Sequence, residues 1–252
     1  MDDVSEARRI RLLQVASVLA VLAVWEASAR AGWVDPLFVA PPSVVARAFG
    51  AIGGAALIAL GDTLAKTAVA YTLAVGLGVP AGLMIGSVRA VHDVVHPFVV
   101  ALYGIPKILV LPWIVLLLGF GTAPAVAYGA IHGLFPILVL VIGGVRDVDP
   151  ALITVARSYG ARPWQIYWKV ILPASVPSVL ASLRLGIVFC LLGVLIVEMF
   201  AGVRGMGHVL NALANGFQAA QLFAATALVS AASIGFVLAL DALNEKLSHW
   251  RG

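Results

Sequence analysis

Ionisable side chains are scarce in this chain, and several fall inside long apolar runs, where a charge is costly to hold and usually serves a task. Lys107 follows Gly104-Ile105-Pro106. Proline there breaks a helix and frees carbonyls that need a cavity or a neighbour. Two roles fit Lys107: lining a pathway and favouring anions, or snorkelling and pairing. Glu198 closes another apolar run, with Arg204 six residues on. An internal ion pair with Arg204 fits Glu198, and so does a contact with a solute. His132 fits a satisfied core histidine, or a wall of the same pathway as Lys107. Glu26 and Asp241, near the ends of runs, are expected to reach water or a partner. Asp62 and Lys66 stand four apart and are expected to pair on a helix surface.

Other chemistries lack their residues. The sequence has no Gly-x-x-x-x-Gly-Lys-Ser/Thr phosphate loop, so the chain does not bind ATP by that device. Ser, His and Asp are too sparse in the apolar runs to assemble a nucleophile with its base. Of five histidines, His92 and His96 form an i,i+4 pair without the flanking acid of a zinc-protease motif, while His132, His208 and His249 are isolated. No metal site is expected. The lone Cys190 can form neither an internal disulfide nor a Cys-rich metal site, and reads as packing. The 16 Lys and Arg lie at the ends of apolar runs instead of along a basic stripe, which argues against nucleic acid despite a formal charge of +4.

The elements that hold these residues follow from composition. Hydrophobic residues make up 62% of the 252 and charged residues 11%, against about 45–50% and 25% in soluble domains. The lipid bilayer is the expected solvent. A span needs roughly 20 mostly apolar residues, and six stretches qualify: 12–29, 64–86, 95–118, 123–143, 179–199 and 222–243. The expectation is a single all-α transmembrane domain over residues 1–252. No Asp, Glu, Lys or Arg lies between Lys107 and Arg146, and Gly119-Phe120-Gly121-Thr122 divides that run into two spans. The start, with Arg8, Arg9 and Arg11 before an apolar run and Ala27-Ser28-Ala29 after it, fits an uncleaved first span or a signal peptide.

Orientation follows from the positive charges, which favour the cytoplasmic side. With the N-terminus inside, Arg8, Arg9, Arg11, Arg89, Arg146, Arg157, Arg162, Lys169, Arg184, Lys246 and Arg251 fall there, and only Arg30, Arg47 and Arg204 fall outside. Both termini are therefore expected in the cytoplasm. Gly78, Gly82 and Gly86 on the second span, and Gly129 and Gly133 on the fourth, form small-residue ridges for close helix contact, within one chain or between copies. Between the first two spans, Ala40-Pro41-Pro42 leads to a short helix expected on the outer surface, with Ser43 as its cap.

The segment 146–178 carries the strongest pattern. Asp149-Pro150 is a helix start, Leu152, Val155, Ala156 and Tyr159 recur at helical spacing, and Gly160 supplies the stop. Pro163 begins a second helix, expected over 164–171 and ended by Leu172-Pro173. Two short amphipathic helices joined at a glycine, held between two spans, suit a lever along the membrane surface.

Here the chain resembles the permease subunits of bacterial ATP-binding-cassette importers, whose loop signature is Glu-Ala-Ala, three residues, Gly, nine residues, Ile, one residue, Leu-Pro. Ala156, Gly160, Leu172 and Pro173 match, whereas Thr154, Val155 and Val170 replace Glu, Ala and Ile. Ala40-Pro41-Pro42-Ser43, Gly104-Ile105-Pro106, Leu111-Pro112, Val148-Asp149-Pro150 and Glu198-Met199 extend the resemblance to the nitrate, sulfonate and taurine branch. It implies an inner-membrane, multi-pass subunit that is not itself an enzyme. Two such subunits, here expected as a homodimer, form the pathway. Each coupling loop docks on a cytoplasmic ATPase dimer that holds ATP and magnesium, and an extracytoplasmic solute-binding protein delivers the solute. Carried over by position, Thr154, Ala156, Arg157, Tyr159, Gly160, Ala161 and Trp164 form the docking surface. The branch implies a small anion, and its relatives also carry pyrimidine or aromatic solutes. The rival class, an ion-coupled secondary transporter, would show paired repeats and midplane acids, which this sequence lacks.

Overall fold

In hydrocarbon every backbone N–H and C=O must be satisfied within its own segment, so long apolar runs become helices. The computed structural model describes the backbone of residues 2–248 and the side chains of residue 6 and residues 8–242. The Lys246 side chain, His249 and Arg251 lie outside the described residues. The long helices are α1 (Asp2–Arg30), α2 (Pro42–Ser87), α5 (Thr122–Arg146), α8 (Leu172–Phe200) and α10 (Ala219–Ser248). Shorter ones are α3 (Arg89–Gly104), α4 (Leu111–Leu118), α6 (Pro150–Ser158), α7 (Pro163–Ile166) and α9 (Met206–Asn215). Among the described residues five helices are long and apolar enough to span a bilayer, and six spans result if the bent pair α3–α4 counts as one.

The expected break at the proline of the third span is present, while two other boundaries differ from expectation. Within 95–118, α3 ends at Gly104, Lys107–Val110 form a 3-10 turn, and the two arms meet at 86°. Pro106 and Pro112, which cannot donate to a continuing helix, account for the break. The expected surface helix at Ser43 is instead the start of α2, which runs 46 residues without interruption. Ser43 does not cap it. Pro41 holds the cap position, and Glu26 of α1 accepts from the Ser43 N–H at 2.9 Å and Oγ at 2.7 Å. A carboxylate at a helix N-terminus complements its dipole. Finally, Leu172-Pro173 does not end a helix. After α7 a π-helical turn, Tyr167–Ile171, leads directly into α8, with Pro173 in its first turn, where the missing N–H is harmless.

The core lies where α2, α5 and α8 meet, around Ala70, Ala74, Tyr128, Ile137, Val141, Cys190 and Val194. The glycine ridges serve this contact within the chain. Gly78 lies against Ile137, Gly82 against Val141 and Gly86 against Val145, so α2 and α5 run in the same direction. Gly129 meets Val194 and Gly133 meets Cys190, so α8 runs opposite to α5. Because α2 and α5 cross the same way, the broken pair α3–α4 must carry the chain back across. A Cβ on Gly82 would sit 2.8 Å from the Val141 side chain, whereas one on Gly76 meets nothing. Gly82→Leu is therefore expected to lower stability by about 1–3 kcal/mol through overpacking. Thermal unfolding in detergent checks this, with Gly76→Leu as the unchanged control.

Candidate functional site

Local chemistry builds the lever at the end of the bundle where α2 and α5 finish. The Asp149 side chain accepts the Ala151 N–H at 2.8 Å and starts α6. Gly160 takes φ +76°, the left-handed conformation that a stop requires, while the Gly160 and Ala161 N–H groups reach back to the Arg157 and Ala156 carbonyls. The Gln165 side chain accepts the Arg162 N–H at 2.8 Å at the start of α7. The lever leaves large apolar surface uncovered, with Tyr159 at 88% and Trp164 at 59% exposure beside Leu152 and Val155. Of the expected docking residues, Thr154, Arg157, Tyr159, Gly160 and Trp164 are exposed, and Ala156 and Ala161 half-buried. The Thr154 hydroxyl donates to the Pro150 carbonyl of its own helix at 2.9 Å.

Lys107 sits at the α3–α4 break. Its ammonium donates to the Tyr103 carbonyl at 3.1 Å and lies 4.6 Å from the centre of the Tyr103 ring and 5.2 Å from that of Phe135. Phe135 is close to the midpoint of α5, so Lys107 is at mid-depth in the bundle. Ring faces attract the cation, and no carboxylate of the described residues pairs with it. His132, one turn before Phe135, is half-buried and stacks on Tyr128 at 5.5 Å and near Phe189 at 5.6 Å. Its Nδ1 has no hydrogen-bond partner among the described residues.

Glu198 makes an internal ion pair, with Lys66 in place of Arg204, and is fully buried with three donors on its carboxylate. It accepts from Lys66 Nζ at 2.8 Å, Thr63 Oγ1 at 2.7 Å and the Gly207 N–H at 2.9 Å. Lys66, expected on the helix surface, is 4% exposed and also lies 2.6 Å from Asp62, while Arg204 meets Asp62 at 3.5 Å. Thr63 Oγ1 further accepts the Met206 N–H at 2.7 Å, so the network ties α9 to α2 and α8. Sequence reasoning missed the Lys66–Glu198 pair. A lone lysine and a lone glutamate in two spans, both at the end away from the lever, were the available signal. Arg184 of α8, half exposed, pairs with Asp241 of α10.

The fold and these features define a polytopic helical membrane protein. Residues 78–251 match the family described as binding-protein-dependent transport system inner membrane component, and the chain belongs to that family. It is 27% identical to the taurine transport system permease protein TauC of Escherichia coli, over 95% of this chain and 90% of that one. It is 26% identical to the formylaminopyrimidine transport permease protein ThiX of Halalkalibacterium halodurans, over 92% and 93%. A solved structure, the inward-facing MetNI methionine ABC transporter, aligns with TM-score 0.61 at 20% identity, over 73% of this chain and 95% of that one, and shares the fold. The chain is thus an inner-membrane permease subunit of a binding-protein-dependent ATP-binding-cassette importer, and a transport subunit in place of an enzyme. Its family implies an ATPase and a solute-binding protein as partners.

Proposed function

We propose that two copies of this permease conduct a small organic or inorganic anion, of the nitrate, sulfonate or taurine kind, inward across the bacterial cytoplasmic membrane. Both termini and the lever face the cytoplasm. Thr154, Ala156, Arg157, Tyr159, Gly160, Ala161 and Trp164 dock on the ATPase dimer, which holds ATP and magnesium. The exposed rings of Tyr159 and Trp164 support this, since apolar surface of that extent outside lipid asks for a protein partner. The Thr154 hydroxyl is engaged within α6, so docking rests on rings and small side chains in place of a motif carboxylate.

The observation that carries the solute class is Lys107, a cation at mid-depth with aromatic neighbours and no carboxylate partner among the described residues. Such a group favours a passing anion, and His132 lines the wall beside it. The taurine-transport relative supports the same class. The test is uptake in proteoliposomes containing permease, ATPase and binding protein. Lys107→Gln is expected to lower uptake of a small sulfonate by about tenfold, the equivalent of one lost charge contact, with ATP hydrolysis still coupled. Unchanged uptake overturns the anion pathway. The formylaminopyrimidine-transport relative favours a second reading, a neutral pyrimidine solute. In that case the neutral compound competes for uptake and Lys107→Gln leaves transport intact.

A further inference from the structure

We propose that the cleft beneath the lever is a binding site for an anionic phospholipid of the cytoplasmic leaflet. The proposal rests on the orientation given above, with the lever on the cytoplasmic side. The cleft has a volume of about 600 Å³ and lies between the end of α2, with Met84 and Val88, and the lever, with Ile153, Arg157, Ile166 and Ile171. That is the size of a small-molecule site. Its lining is apolar apart from Ser87, Tyr167 and Arg157, and contains no acid.

Charge narrows the choice of occupant. Arg157 lines the cleft, Arg89 follows the lining residue Val88, and Arg162 stands between the lining residues Ala161 and Pro163. None of the three pairs with an acid of the described residues. A free cation in the wall of an apolar hollow, with two more next to lining residues along the chain, asks for an occupant with a negative head and a hydrocarbon body. A soluble anion supplies only the first. The hollow also opens onto the membrane span itself, where Met84 and Val88 are about half exposed. Basic pockets between spans on the cytoplasmic side bind anionic headgroups on these grounds, with arginine suited to phosphate by its planar fork. A lipid held there touches α2 and α6 together, and so links the resting position of the lever to the composition of the leaflet.

The test is native mass spectrometry of the purified permease–ATPase complex, after equilibration with equal amounts of phosphatidylglycerol and phosphatidylcholine. Wild type is expected to retain phosphatidylglycerol about tenfold over phosphatidylcholine. Arg157→Gln removes the central cation, and Ser87→Phe fills the cleft without changing charge. Each is expected to abolish the preference. Equal retention of the two lipids by wild type, or an undiminished preference in both variants, overturns the proposal. So does lipid that binds only when the ATPase is absent, since the ATPase then fills the cleft. Retention is read without transport, so failed uptake counts against the importer's solute or coupling and leaves this result standing.

Discussion

Permease carrying Gly160→Pro, reconstituted with its ATPase and binding protein, is expected to lose about tenfold or more of ATP-driven uptake while the membrane bundle stays folded. Gly160 adopts φ +76° and donates its N–H to the Arg157 carbonyl at 2.9 Å. Proline is locked near φ −65° and has no N–H to give, a conflict worth about 3 kcal/mol or more in comparable settings. An energy of that size exceeds the 1.4 kcal/mol that corresponds to a tenfold change in an equilibrium. The strain falls on the joint between α6 and α7 and leaves the α2, α5 and α8 core untouched. Simultaneous measurement of ATP hydrolysis and solute uptake reads the effect. Hydrolysis that continues without uptake identifies the joint as the transmission element. Uptake at wild-type level removes the lever from the mechanism, and uptake driven by an ion gradient without ATPase overturns the importer reading.

Glu198→Leu is expected to destabilise the permease by about 3–5 kcal/mol, because breaking one side of a buried ion pair strands the other charge. Lys66 would keep only Asp62 as counter-ion, and the Gly207 N–H and Thr63 hydroxyl would lose their shared acceptor. Lys66→Met in the same chain removes the stranded charge and is expected to restore much of the loss, as apolar replacement of both partners often does. Thermal unfolding of the two single variants and the double variant in detergent gives the coupling energy directly. A coupling near zero would show that the two residues act independently. Because the pair ties α9 to α2 and α8, the double variant also tests whether that attachment survives on the Met206 N–H bond to Thr63 and the apolar packing of Met206 against Ala56, Leu60 and Ala225.

The sequence by itself determined what depends on neighbours along the chain. Apolar run length set the number of spans, because the rise per residue and the bilayer thickness are fixed. The lever was legible for the same reason: Asp149-Pro150 and Gly160 act through bonds to residues within five positions. Lys107 was recognisable as unusual from the proline beside it. The glycine ridges announced close packing, though only the structure shows that it falls within one chain. Tertiary structure alone decided the rest. Spacing offered Lys66 a partner four residues away and Glu198 one six away, yet a 2.8 Å bond joins these two across 132 positions. Pairing between helices depends on the depth and facing that packing imposes, which no local spacing encodes. The uninterrupted α2 is of the same kind. It is fixed by which neighbouring helix receives each face, since α2 is held along its length by α5, α8 and α10.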